Sequence, residues 1–419
     1  MQTLLTALVS QIVKRGDLTL RFADGGQQKF GDGTGEPIIA RFTDARGPLD
    51  LLRDPELAFG ELYMDGRLVM DEGAIFDLIK IVLSNPVRGE PPRLLSVLRW
   101  ARDIATFTFL RNERSRARAN VAHHYDLDGR IYGLFLDRDR QYSCAYFERP
   151  DMDLDEAQLA KKRHIAAKLL VDPAHRVLDI GSGWGGLALY LAHYCGANVT
   201  GVTLSEEQLA MANMRAQNAA CADRVQFRLQ DYRDMQGAFD RVVSVGMFEH
   251  VGPAHFETYF RRIAQLLTED GVALVHTIGR PDGPGATNPW ISKYIFPGGY
   301  IPSLSEISTA IEKTGLFITD IEVLRMHYAE TLKAWRERFM ARRDEARALY
   351  DERFCRMWEF YLSICELTFR VEGECVYQVQ VARRHDIVPI TRSYIAEREA
   401  RLRVRDAGEL APAQAAAGE

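Results

Sequence analysis

Four residues stand out for the chemistry their side chains offer: Cys144, Glu249, His276 and Tyr328, a thiol, a carboxyl, an imidazole and a phenol. They lie in the short segments Tyr-Ser-Cys-Ala-Tyr (142–146), Gly-Met-Phe-Glu-His (246–250), Val-His-Thr-Ile-Gly (275–279) and His-Tyr-Ala-Glu-Thr-Leu (327–332). Groups of this kind hold anions, pass protons or attack electrophiles. Taken singly, each also has a plainer reading. Cysteine is more often a small buried hydrophobe than a nucleophile. Glu249-His250 can be a helix-capping pair, His276 an ordinary core histidine, and Tyr328 carries no message by itself. None of the four is an obvious lone base.

A second constellation lies between the first segment and the other three. Asp179-Ile-Gly181-Ser-Gly183-Trp-Gly185-Gly follows an apolar strand pattern and opens a helical one. In that context glycines let the backbone approach a ligand closely. A dinucleotide fold would place an acidic residue about 20 residues further on, at the end of the second strand. Here that strand ends in Val202-Thr203-Leu204-Ser205, without a carboxylate, and Gln208 stands one turn into the next helix. These residues favour an S-adenosylmethionine site, with the loop against the amino-acid part of the cofactor and Thr203 and Gln208 near the ribose. The alternative is a structural glycine turn in another α/β fold.

The elements that must position these groups follow from periodicity. Arg176 to Ile180, Asn198 to Thr203, Val225 to Leu229, Phe239 to Val245 and Val272 to His276 read as strands; Leu187 to Tyr194 and Glu206 to Asn218 read as helices. Such alternation predicts a doubly wound, mostly parallel sheet covered on both faces. Ahead of it, Leu18 to Phe22 and Pro37 to Thr43 read as strands and Asp71 to Ser84 as a helix, a small α+β unit ending near Pro91-Pro92. Residues Met1 to Lys14 carry an apolar stripe (Leu4, Leu5, Leu8, Val9, Ile12, Val13) without the charged lead or cleavage site of a signal peptide.

Composition narrows the partners. The net charge of -5 argues against a nucleic-acid binder. No run approaches the roughly 18 apolar residues of a spanning helix. The six cysteines form no C-x-x-C pair, and no histidine stands at zinc spacing, so neither a disulfide framework nor a metal site is expected. Arg93 to Arg118 interleaves arginines with leucines and aromatics, which suits either anionic head groups or a solvated helix between domains. The expected organisation is an N-terminal α+β domain over 1–92, a basic and aromatic linker over 93–120, a catalytic domain over 121–395 and a charged, then Ala/Pro/Gly-rich tail over 396–419, disordered at its end.

His124-Tyr-Asp-Leu127, Gln141 to Tyr146, Val177 to Gly186, Gly201 to Ser205 with Gln208, Ser244 to Pro253, His276 to Gly279, Tyr294 to Gly299 and Thr331 to Trp335 occur in one order. In this the chain resembles the cyclopropane fatty acid synthases and the related mycolic acid cyclopropane synthases and methyltransferases. The likeness runs from His124 to about Arg383, and Leu57 to Gly66 is similar to the smaller, sterol-carrier-like domain of the bacterial synthases. One departure is Asp128-Gly129, where that family usually has Gly-Asn.

The resemblance implies a class I S-adenosylmethionine-dependent methyltransferase fold and addition of a methylene group across cis double bonds of phospholipid acyl chains. Related members leave a methyl branch or a methylated alkene instead. It implies a bound bicarbonate as base, held by the Glu249, His276 and Tyr328 side chains and by backbone groups at Cys144 and Ile278. Tyr142 and Ser143 are implied near the cofactor carboxylate, Asp231 and Tyr232 by the adenine. Aromatic faces at Tyr146, Tyr328, Trp290 and Phe296 are suited to stabilising a cation or, for Trp290 and Phe296 equally, to plain core packing, and Ile278 to Pro302 would border an acyl tunnel. The cysteine usage fits a reducing cytoplasm; the expectation is an enzyme associated peripherally with the inner membrane face, and a homodimer is implied by the resemblance.

Overall fold

The computed structural model describes residues 2–85 and 129–408 of the chain. The basic linker, the His124–Leu127 motif, Asp128 and the Ala/Pro/Gly-rich end lie outside the described residues. The described chain forms two compact units. One comprises residues 2–85, Gly285–Gly299 and Ala329–Glu374; the other comprises residues 129–284, Tyr300–Tyr328 and 375–408.

In the first unit, β1 (Asp17–Arg21), β2 (Gln27–Phe30), β3 (Pro37–Phe42) and β4 (Leu68–Glu72) form a sheet of order β2-β1-β3-β4. The alternation that predicted β1 turns Leu18 and Leu20 inward. The helix Gln2–Ile12 buries Leu5 but leaves Leu4 61 % exposed. The helix Pro55–Met64 starts with proline in its first turn, and Asp54 caps the Leu57 amide. It packs on the long helix Glu352–Leu367, and Tyr63 donates to Glu359 at 2.9 Å.

Trp290, from the helix Pro289–Tyr294, is fully buried in this unit. Its indole N–H meets Met64 Sδ at 3.1 Å and its ring stands edge-on to Phe360 at 4.7 Å. Gly60 makes room: a Cβ there would sit 2.4 Å from Trp290 Nε1. Phe296 packs edge-on against Tyr361, also in this unit. Both rings thus have core partners of their own.

The second unit holds β5 (Arg176–Ile180), β6 (Asn198–Thr203), β7 (Val225–Leu229), β8 (Phe239–Val245), β9 (Leu267–Gly279), β10 (Phe317–Val323) and β11 (Cys375–Ala382) in the order β10-β11-β9-β8-β5-β6-β7. Strands β5 to β9 run parallel, and β11 and β10 add antiparallel pairs at one side. Side-chain alternation feeds two cores, one on each face. Leu178, Ile180 and Val242 pack with the helix Phe256–Leu266, whereas Val177, Val199 and Val243 pack with the helix Gly186–Cys195. The chain leaves β5 towards β6 on one side and returns through β8 on the other. A crevice forms at the carboxyl ends of strands where the order reverses in this way.

The charged stretch after Arg392 takes regular structure as far as Arg405. It is a helix, Ser393–Arg405, with Tyr394, Ile395 and Leu402 buried, and it packs on the helix Leu154–Lys168. An ion pair between the two helices, His164 with Glu399, adds to its thin apolar face. Asp406, at its end, accepts from Arg163 and from the Tyr190 hydroxyl.

Candidate active site

The glycine loop begins where β5 ends. Asp179 is paired with Gly201 on β6 and Val243 on β8, which places it at the reversal point. Its Oδ2 is buried without a hydrogen-bond partner, and burial pushes its pKa up to about 7, opposed by the Lys161 cation. Gly181 and Gly185 adopt φ of +80° and +83°, a region that side chains avoid. A Cβ on Gly185 would stand 2.6 Å from Phe227 Cζ, whereas one on Gly183 would meet open space. The loop is therefore closed towards the core and open at Gly183.

Thr203, the last residue of β6, donates its hydroxyl to Gln208 Oε1 at 2.9 Å, and Ser205 caps the Gln208 amide. This fixes the two residues expected near a ribose in one buried pair. Asp231, beyond β7, is gripped by Arg233 at 2.9 and 2.5 Å. Tyr232 lies edge-on to Tyr259 at 5.4 Å.

On the other side of the reversal point, Glu249 follows β8 in a short turn, Phe248–His250. Its Oε1 accepts the Ile278 amide at 2.7 Å, while Oε2 is buried without a partner. Burial raises its pKa to about 7, with the Ile278 hydrogen bond opposing. The Ile278 N–H is thus engaged by Glu249 itself.

His276 occupies β9 between Val245 of β8 and Gln378 of β11. Its Nδ1 lies 3.2 Å from Gln378 Nε2; with the amide as donor, the neutral ring carries its proton on Nε2. That Nε2 is buried and unpartnered. Burial, then the positive field of Lys161 and other cations, holds the His276 pKa well below the usual histidine range. The arrangement offers a neutral N–H donor and a carboxyl oxygen, both desolvated at strand ends.

Ser143 is held by two fully buried residues of the helix Leu154–Lys168. Lys161 Nζ donates to Ser143 Oγ at 2.7 Å, and Gln158 donates to Ser143 O at 2.9 Å. Cys144 is buried, its thiol donating to Ala145 O at 3.2 Å. Tyr142 packs edge-on to Tyr132 at 5.5 Å. Tyr146 lies parallel to His164 at 4.1 Å and to His327 at 5.0 Å. His327 Nδ1 accepts the Phe147 amide at 2.9 Å, and Tyr328 is the next residue.

The sequence residues therefore gather in three groups: Asp179 with Gly181, Gly183 and Gly185; Thr203 with Gln208; Glu249 with Ile278 and, two residues back on β9, His276. Ser143 joins through Lys161, whose charge acts on Cys144, Asp179 and His276 alike. Tyr328 follows the anchored His327 in the chain, and Asp231 and Tyr232 are held by groups of their own.

Sequence reasoning missed Gln158, Lys161, His164 and Gln378. The signal for the first three was the run Gln158 to His164, four basic residues in succession on a helix without an apolar stripe. That pattern reads as a solvated surface, yet the helix is buried.

Comparison with known proteins agrees with this architecture. Residues 112–379 match the family described as Mycolic acid cyclopropane synthetase, and residues 4–87 match a domain of unknown function. A probable fatty acid methyltransferase of Pseudomonas putida is 36% identical over 394 residues, 90% of this chain and 95% of that protein. The cyclopropane-fatty-acyl-phospholipid synthase of Escherichia coli K12 is 40% identical over 335 residues, 80% of this chain and 85% of that protein. Among solved structures, the mycolic acid cyclopropane synthase CmaA1 complexed with SAH and CTAB superposes with a TM-score of 0.60 at 34% identity, covering 63% of this chain and 97% of that one. With its parallel sheet, glycine loop and family match over most of its length, the chain belongs to the mycolic acid cyclopropane synthetase family and is an S-adenosylmethionine-dependent methyltransferase.

Proposed function

We propose that the protein adds a methylene group across cis double bonds of phospholipid acyl chains to form cyclopropane fatty acids, with a bound bicarbonate as the proton acceptor. The observation that carries this reading is the pair Glu249 and His276, each with a desolvated polar atom left unpartnered at the strand ends beside the glycine loop. When bound, S-adenosylmethionine supplies an electrophilic methyl group.

The residues present fit that cofactor. Asp179 Oδ2, Ser182 Oγ and Gln158 Oε1 are buried and unsatisfied around the loop that is open at Gly183, and Thr203 orients Gln208. They also fit a small oxyanion. His276 Nε2–H is a donor without an acceptor, and a Glu249 carboxyl raised towards neutrality can share a proton with such an ion through Oε2. Tyr328 and the Cys144 backbone complete the proposed set.

An isolated alkene is a weak nucleophile, so the site must hold it in line and exclude water. Alkylation leaves a carbocation on the acyl chain. A ring closes only if the transferred carbon loses a proton before water or a hydride shift intervenes. The buried positions of Glu249 and His276 keep that step dry.

A phospholipid substrate calls for action at a membrane surface, which we read as the cytoplasmic face; no helix among the described residues is long and apolar enough to cross a membrane. The name of the Pseudomonas putida relative, a probable fatty acid methyltransferase, supports a second reading in which the cation is quenched without ring closure. Mass spectrometry of lipids from a host expressing the chain tests both: acyl chains gain one methylene in mass, and hydrogenation separates a ring from a methylated alkene. Glu249→Gln should lower turnover by about 10²–10³-fold, a typical loss for an acid–base partner, with S-adenosylhomocysteine affinity retained. Unaltered lipids from the wild-type chain would end both readings.

A further inference from the structure

The helix Leu154–Lys168 carries five buried basic residues, Lys161, Lys162, Arg163, His164 and Lys168. Four of them meet carboxylates. Lys162 lies 2.8 Å from Asp139, and Arg163 lies 3.0 Å from Asp406. His164 lies 2.9 Å from Glu322 and 2.6 Å from Glu399, and Lys168 lies 3.0 Å from Asp320 and 2.9 Å from Glu322. Lys161 differs. Among the described residues its one hydrogen-bond partner is the neutral hydroxyl of Ser143, 2.7 Å away.

An ammonium has three donors, and a fully buried one without a counter-ion is costly. The groups around it do not repay that cost directly. Asp137, the carboxylate whose field acts most on Lys161, accepts the amides of Gln141 and Asp139 instead. Asp139 is taken by Lys162 and Arg215. Gln158, one turn earlier on the same helix, has an unpartnered buried Oε1, and Asp179 an unpartnered buried Oδ2. Two donors on a cation therefore stand near two acceptors, all desolvated.

We propose that Lys161, together with Ser143, seats the carboxylate of the cofactor's amino-acid moiety. The inference rests on the reading that S-adenosylmethionine binds at this glycine loop, and it assigns the charge that recognises it. A zwitterion offers a carboxylate to Lys161 and an ammonium to the orphaned acceptors, whereas a lone oxyanion would satisfy only the first. The groups facing Lys161 are Asp137 and Asp139 from the turn, Lys162 on its own helix, Cys144, Asp179 and His276. Burial lowers the Lys161 pKa from the ordinary 10.5, with Asp137 opposing. The carboxylate needs the charged form, so affinity should fall with rising pH earlier than an exposed lysine would allow.

Calorimetric titration of the full chain with S-adenosylhomocysteine, and with its analogue lacking the carboxylate, tests this directly. Lys161→Met should weaken S-adenosylhomocysteine by about tenfold to a hundredfold, the range for a hydrogen bond to a charged group. Binding of the decarboxylated analogue should be unchanged. Lys161→Gln gives a second variant. In the wild-type protein, alkaline pH should weaken the first ligand and spare the second. Equal losses for both ligands, or no loss for either, would overturn the assignment. Intact S-adenosylhomocysteine binding with lost bicarbonate dependence of turnover would also overturn it, by moving Lys161 to the oxyanion. Failure of the wild-type protein to bind S-adenosylhomocysteine would overturn the cofactor reading beneath it.

Discussion

Two stretches of one helix bury positive charge for different ends. Towards the end of Leu154–Lys168, Arg163, His164 and Lys168 are tied to Asp406, Glu399, Glu322 and Asp320, which come from the carboxy-terminal helix and its boundary and from edge strand β10. Near its middle, Gln158 and Lys161 bond, among the described residues, only to the Gln141–Ser143 segment and keep polar capacity to spare. Where burial is structural the charges are matched within the chain. Where it serves a ligand, the match is left to be completed.

The sharpest way to break that contrast is at the matched stretch. Asp406→Asn would strip buried Arg163 of its nearer counter-ion, leaving Glu148 at 3.5 Å, and weaken the acceptor of Tyr190, at a cost of about 3 kcal/mol, the low end for a broken buried pair. Urea denaturation should show this as a lowered midpoint. A loss under 1 kcal/mol would remove the claim that these pairs hold the carboxy-terminal helix.

His164 gives the next effect. Burial by itself would lower its pKa, but hydrogen bonds to Glu322 and Glu399 outweigh that and raise it above 6.5. Both ring nitrogens face carboxylates, so the ring is held as the cation. Its contribution is complete below pH 6.5 and fades as pH rises through the raised folded value. His164→Gln should cost about 2 kcal/mol at acidic to neutral pH, as for hydrogen bonds to charged groups, and the gap to wild type should narrow only on the alkaline side. A gap that widens with pH would refute the clamp.

Lys161→Met sharpens the comparison from the other stretch. Removing an unmatched buried charge should leave stability unchanged or raise it by about 1 kcal/mol, although ligand affinity falls. The smallest effect belongs to the surface. Arg384 pairs with Asp270 at 3.0 Å while 44 % exposed, and Arg384→Ala should shift stability by less than about 1 kcal/mol.

The second unit was largely legible in the sequence. Strands β5 to β8 fall where apolar runs end in turn residues, and β5 leads into the glycine loop. Glycines at 181 and 185 announce backbone that other residues resist. Asp179, Thr203 and His276 on strands, Gln208 one turn into the helix after β6 and Glu249 in the turn after β8 were legible as candidates because a parallel sheet exposes its carboxyl ends to ligands. Gln158, Lys161, His164 and Gln378 were not. Polar residues on a helix read as solvent-facing unless their partners are known, and those partners lie far along the chain, Arg163 with Asp406 and His276 with Gln378.

Trp290 and Phe296 make the same point from the apolar side. Their segment offered itself as a site lining, and the fold gives it core neighbours at Met64, Phe360 and Tyr361. The first unit gathers Gly285–Gly299 and Ala329–Glu374 from across the chain. No local pattern encodes that grouping.

The sequence by itself determined what depends on near neighbours: the period of each strand and helix, the left-handed glycines, the caps, and the residue types available for chemistry. Only the tertiary structure decided which polar groups would lose water and which would find a partner there. Desolvation and charge pairing depend on what distant segments bring into contact, so Lys161 and Lys168, alike as residues, end with different roles.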